Sequence, residues 1–383
     1  MPAPTNAAPA SPDRRRLINA ATVLAGSALL AASAHAQPAQ PQAQTETNNQ
    51  PQFSKLQRGM ISYMLAHEQF TVPELVRDGA LASQAGFHVL STSDHIQPWQ
   101  ANEKHAGQAW VTMGALGAQA PRSWMGTTVT CPTMRYNPAV VAEAFASLND
   151  LYPGRIFLGV GSGEALNETA ATGMWPKWQE RWDRLIEAIG IIRALWAGQE
   201  LNHKGTYYTV NAKLWDTPRT PIPLLTAANG VKSMRLAGIH GDGLITDPQT
   251  WQKNRQHWED GARSAGKDPS NMPVLVEQYV VVGTKEQAQR PAELWRFGPK
   301  AFKTYFNDPN PAHIQQRADA EVPVDQVLQS WAVSPDPEVH IQKLHSLFDS
   351  GATIVNVHCP MQDQREVIEF YAKNVLPHFR QPV

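Results

Sequence analysis

Eight times along this chain a short apolar run is followed by a stretch with apolar residues at helical spacing. No other feature narrows the fold as much. The runs are residues 60–65, 88–93, 125–130, 156–160, 222–227, 243–246, 274–282 and 353–357. The helical patterns cover 72–85, 108–120, 138–151, 178–196, 231–239, 251–265, 285–295 and 365–375. Continuous rather than alternating apolar runs are the mark of strands buried on both faces, and parallel strands need crossover helices between them. Eight such units in a chain of this size predict an α/β fold, a (β/α)8 TIM barrel. A doubly wound sheet is the competing architecture. The glycines of 159–163 fall in the fourth unit with the wrong spacing for a dinucleotide loop, which disfavours it. Residues 291–331 are too long for a plain connection and are read as a partly helical insertion after the seventh strand.

A barrel of this kind carries its chemistry at the C-terminal strand ends. Asp94, His95 and Trp99 follow the second strand, Thr128 and Val129 end the third, and Gly161, Ser162, Gly163 and Glu164 follow the fourth. Ala228, Asn229 and Gly230 follow the fifth, and His358 the eighth, so all are expected to face one cavity. His95 is the candidate general base, because imidazole titrates near neutral pH. Glu164 and Gly230 each precede a helix, where free N–H groups suit an anionic or electron-accepting group. Judged singly, each glycine loop is as readily a tight turn.

Composition excludes several functions. A formal charge of -1 with scattered Lys and Arg offers no nucleic-acid footprint. Cys131 and Cys359 are too few for a disulfide framework or a zinc site, and one bridge between them is left open. No metal is expected. At the N-terminus Arg14, Arg15 and Arg16 precede a weakly apolar run, 20–34, and an Ala-His-Ala cleavage pattern at 34–36. Residues 1–36 are therefore read as a twin-arginine signal that engages the matching export machinery and delivers the protein to the periplasm or cell envelope. An ordinary secretory signal or a membrane anchor is the alternative. Residues 37–55 read as a disordered linker and 56–383 as the barrel domain.

Several stretches carry a family resemblance: AHEQF at 66–70, SDHIQPW at 93–99, TTVTCP at 127–132, RYNP at 135–138, YPGRIFLGVGSGEALN at 152–167 and GDG at 241–243. Spread in this order over nearly the whole barrel region, they make the chain similar to luciferase-like flavin and deazaflavin barrel oxidoreductases. Within these it resembles the coenzyme F420-dependent glucose-6-phosphate dehydrogenase group.

The resemblance implies that His95 takes the proton of an alcohol substrate as hydride leaves for the deazaflavin. It implies that Trp99 shields the reacting centre and that Glu164 is the acid beside the reduced ring. Thr128 and Val129 correspond to a non-proline cis peptide under the ring. Asp94, Gly161, Ser162, Gly163, Asn167, Ala228 and Gly230 are implied cofactor contacts, and Glu68, Lys303 and Trp331 implied substrate contacts. Two of the group's three phosphate-binding cations are missing here, since 246–250 holds no Lys and Ser330 stands before Trp331. Their loss removes charge-assisted bonds of about 1.5–3 kcal/mol each. The pattern is closer to the F420-dependent hydroxymycolic acid dehydrogenase branch.

The expectation is an F420-dependent oxidation of a secondary alcohol to a ketone, with a homodimer left open. The alternatives are an F420-dependent sugar-6-phosphate dehydrogenase, an FMN-dependent monooxygenase and a secreted carrier without turnover.

Overall fold

The computed structural model describes residues 54–379. The expected signal at 1–36 lies outside them, as does the linker up to residue 53. Among the described residues no helix is long and apolar enough to cross a membrane.

The eight apolar runs form β1 (Met60–Leu65), β2 (Val89–Thr92), β3 (Trp124–Thr127), β4 (Ile156–Val160), β5 (Leu224–Ala227), β6 (Gly243–Thr246), β7 (Val274–Val281) and β8 (Ile354–His358). All neighbours are parallel, and the ring closes where Met60 of β1 stands opposite Ile354 of β8. This is the barrel expected from the sequence.

Because side chains alternate across a strand, each run feeds two cores. Met60, Val89, Trp124, Phe157, Leu225, Ile245, Leu275 and Ile354 point inward and plug the bottom of the barrel. Their neighbours Ile61, Leu90, Met125, Leu158, Leu224, Leu244 and Val276 point outward against the helices. Each such side chain contributes on the order of 1.5–3 kcal/mol when fully buried. Above the plug the inward positions turn small or polar (Ser62, Ser91, Gly126, Gly159, Glu277, Asn356), which leaves the upper lumen to chemistry rather than packing.

Helix starts follow from local chemistry. Asn137 accepts the N–H of Ala139 and Asp247 that of Thr250, each just ahead of a proline at the first helical position. Gly86 ends the first helix, Val72–Ala85, at φ 107°, a left-handed conformation that glycine adopts without penalty.

One feature differs from the sequence expectation. An antiparallel hairpin, Leu201–Lys204 with Thr209–Ala212, inserts between β4 and β5. Its strands are short, polar and half-exposed, so they lack the apolar signature that marks the barrel strands. The insertion after β7 holds helices Lys285–Leu294, Pro311–Glu321 and Val324–Leu328 with a π-helical turn at Ala301–Tyr305. Its apolar side (Trp295, Phe297, Ala301, Tyr305, Ile314) packs on Trp99, so the insertion roofs the loop after β2. Cys131 and Cys359 are both buried and unbridged.

Candidate active site

The loop after β2 is fixed by its first acidic residue. Asp94 is 2% exposed, and its carboxylate accepts hydrogen bonds from Thr130 Oγ1 (2.6 Å), Tyr136 Oη (3.1 Å) and an Arg135 guanidinium nitrogen (3.2 Å). Arg135 also donates to the Asp94 carbonyl, and Trp110 Nε1 donates to Thr130 Oγ1 at 3.1 Å. Three protein donors thus meet this carboxylate. The Asp94 side chain thereby anchors the loop at the place where a cofactor contact is expected. Burial works to lower the Arg135 guanidinium, but Asp94 together with Tyr136, Cys131 and Glu168 raises it above its usual range.

His95 stands next to this anchor with both ring nitrogens engaged. The N–H of Ile96 donates to Asn167 Oδ1 at 2.9 Å, which orients the amide so that its nitrogen faces His95 Nδ1 at 3.0 Å. Nδ1 is therefore the acceptor of a neutral imidazole, and the ring proton sits on Nε2, 3.3 Å from Glu68 Oε1. Glu68 in turn accepts from Ser93 Oγ at 2.6 Å. Burial works to raise the Glu68 carboxyl, but His95 and the Ser93 hydroxyl together hold it below the usual carboxylate range. Glu68 is the residue expected to contact substrate. It is buried beneath His95, its oxygens committed to orienting that ring.

Glu164 caps the helix Ala165–Thr172, and the Asn167 amide nitrogen lies 3.4 Å from its Oε2. One amide therefore bridges His95 and Glu164 at a single rim of the barrel. The two side chains are joined through that amide. Trp99 is buried beside His95, with ring centroids 6.1 Å apart, and stacks on Phe297 at 4.8 Å.

The remaining expected residues divide. The Thr128–Val129 peptide is cis, and both side chains are half-exposed at the end of β3. Gly161 allows close approach: a Cβ there would meet Val129 Cγ2 at 2.7 Å. Ser162 is half-buried beside it, and Gly163 adopts φ 88°. Ala228 turns its methyl into the outer core while Ala227 faces the lumen. Gly230 is exposed at the start of helix Val231–His240. Lys303 is exposed on the π-helical turn, and its neighbour Phe302 meets Trp99, centroids 6.1 Å apart. Trp331 stacks on Tyr279 at 5.1 Å and also lines an outer cleft of about 440 Å3 with Lys285 and Lys343. That cleft contains neither His95 nor Glu164.

Sequence reasoning passed over Glu168. Its Oε2 accepts the N–H of Arg135 at 2.8 Å, while Oε1 has no partner. Burial pushes its carboxyl from 4.5 up to about 7, opposed by Arg135. A carboxyl raised in the native state stabilises below its unfolded value and loses that contribution as pH rises through the native one. Stability is therefore expected to fall by up to about 3 kcal/mol between pH 4.5 and pH 7 on account of Glu168. Urea midpoints measured across this range should show the slope in the wild type and a flatter one in Glu168→Gln.

With this geometry in view, the class is defined. Residues 52–353 match the model described as luciferase-like monooxygenase, and the chain belongs to that family. Within it, the chain is 44% identical over 323 residues to the F420-dependent hydroxymycolic acid dehydrogenase of Mycobacterium tuberculosis, covering 84% of this chain and 88% of that protein. It is 36% identical over 325 residues to the F420-dependent glucose-6-phosphate dehydrogenase of Nakamurella multipartita, covering 83% and 96%. A solved F420-dependent secondary alcohol dehydrogenase in complex with an F420-acetone adduct superposes with a TM-score of 0.79 at 31% identity, covering 85% of this chain and all of that one.

Proposed function

We infer that this protein oxidises a secondary alcohol to a ketone with coenzyme F420 as the hydride acceptor. The observation that carries the reading is the neutral His95, backed by the buried Glu68 carboxylate and joined through Asn167 to Glu164. Similarity to F420-dependent dehydrogenases supports the cofactor, and the solved alcohol dehydrogenase supports the reaction class.

The residues present fit a flat ring with an anionic tail. Half-exposed Thr128, Val129, Ser162 and Ala227 offer small surfaces along three strand ends, and Gly161 keeps the backbone clear. Gly230 opens a helix whose first turn carries exposed Lys232. A cation there opposes the helix dipole and is favourable only opposite an anion. When bound, the deazaflavin supplies a two-electron hydride acceptor.

The protein's part is proton management. His95 Nδ1 receives the alcohol proton once Asn167 releases it, and Glu68 stabilises the resulting imidazolium through Nε2–H. Glu164, within reach of the same amide, serves as the acid at the cofactor. Trp99 and Phe297 exclude water from one side. With Lys303 exposed and no cation at 246–250, the pocket favours an alcohol over a sugar phosphate. Export of the folded protein by a twin-arginine signal at 1–36 is part of the same reading.

Equilibrium titration of the purified protein separates the cofactors. F420 is expected to bind at least about tenfold more tightly than FMN; tighter FMN binding with oxygen consumption would select the monooxygenase reading instead.

A further inference from the structure

A second imidazole–carboxylate pair sits in the barrel mouth, apart from His95 and Glu68. His358 is the last residue of β8 and Glu277 lies on β7, on the inward-facing alternation that begins at Ile354 and Leu275. His358 Nδ1 and Glu277 Oε1 are 2.7 Å apart. Tyr279 stacks on the imidazole at 4.3 Å and Trp295 meets it edge-on at 4.4 Å, so the ring is held from two sides. Its side chain is 2% exposed, yet Nε2 has no hydrogen-bond partner. Two residues deeper on the same face, Asn356 turns its amide nitrogen toward Met64 Sδ and leaves Oδ1 unpartnered as well.

Buried polar atoms without partners are rare and ask for an explanation. Opposite the Glu277 carboxylate, Nδ1 carries the proton, and Nε2 presents a lone pair. Asn356 Oδ1 is likewise an acceptor. Two acceptors lining one strand face call for a ligand that donates. Glu277 itself is 32% exposed although it lies inside the barrel, so solvent and solutes reach this level.

Resting on the dehydrogenase reading, we propose that Glu277 and His358 form a hydroxyl-binding subsite that receives a second hydroxyl of the substrate while His95 handles the reacting one. The substrate class is then a secondary alcohol with a further hydroxyl a few carbons away, held among aromatic rings. Glu277 is a positioning residue that fixes the tautomer, and His358 sets specificity.

The test has a binding arm and a kinetic arm. In the first, full-length protein with 15N-labelled histidine and no added cofactor is titrated with diols whose hydroxyls are one, two or three carbons apart, and with each mono-hydroxyl parent. His358 is expected to show the Nδ1–H tautomer, with its Nε2 resonance moving on addition of a diol and not of the parent. In the second, kcat/KM with F420 is compared within each diol–parent pair. The wild type should prefer the best diol about tenfold, the worth of one hydrogen bond. His358→Phe, which keeps the aromatic packing, should bring that ratio to about one, and Glu277→Gln should lower it through the tautomer. An Nε2–H tautomer, equal shifts with diol and parent, or an unchanged ratio in both variants would overturn the subsite, leaving only ordered water there. If no alcohol is oxidised with F420, the dehydrogenase reading fails, and the titration still decides the subsite.

Discussion

Replacing His95 by Ala is expected to lower turnover of a secondary alcohol by ~10³-fold, the usual worth of a general base, with F420 affinity changed by no more than a few-fold. The argument starts from the tautomer. Asn167 has its oxygen committed to the Ile96 amide, so its nitrogen must donate to His95 Nδ1. The imidazole is thereby held neutral with its proton toward Glu68. Glu68 is not free to act as that base, since Ser93 and His95 occupy its oxygens. Glu68→Gln keeps the ring in place but removes the charge that stabilises imidazolium, and should cost kcat about tenfold or more with little change in KM. Partial rescue of His95→Ala by added imidazole, measured as kcat, would identify the lost group as the base. Unimpaired turnover in His95→Ala would remove this residue from the mechanism.

The second large effect is on stability. Asp94→Ala is expected to destabilise the protein by about 3–5 kcal/mol, because it strands a buried cation rather than merely deleting a bond. The Arg135 side chain is 7% exposed, its Nε already lacks a partner, and its next anion, Glu168, is 4.0 Å away. Thr130 and Tyr136 would lose their acceptor as well. Asp94→Asn keeps an acceptor but loses the charge, and should fall between wild type and Asp94→Ala. Urea denaturation followed by tryptophan fluorescence reads both. A loss below 1 kcal/mol in Asp94→Ala would show that water or a moved side chain satisfies Arg135.

The sequence made the barrel legible because its eight strands are buried on both faces and so appear as unbroken apolar runs. The short half-polar strands at 201–204 and 209–212 escaped for the converse reason: one face meets solvent, and neither run is long enough to stand out. Strand ends located the site, since His95, Thr128, Gly161 and Glu164 all follow apolar runs. What a side chain does at its strand end was less legible. Asp94 and His95 are adjacent in the chain, yet one is sealed under Arg135 and the other turns toward Glu68, a choice made by residues 41 and 27 positions away. Ala227 and Ala228 show the same limit at the scale of one residue, where the strand's alternation decides which methyl sees the lumen. Glu168 gave no signal because its altered acidity comes from burial, and burial is a property of the assembled fold.

The most direct test of the central claim uses isopropanol carrying deuterium at the carbinol carbon, mixed with the purified protein and oxidised F420 in the absence of oxygen. The deazaflavin absorbance should bleach more slowly than with unlabelled alcohol, one deuterium should appear on the reduced ring, and acetone should accumulate in equal amount. Bleaching without deuterium transfer, or turnover only with reduced FMN and oxygen, would contradict an alcohol dehydrogenase built on His95.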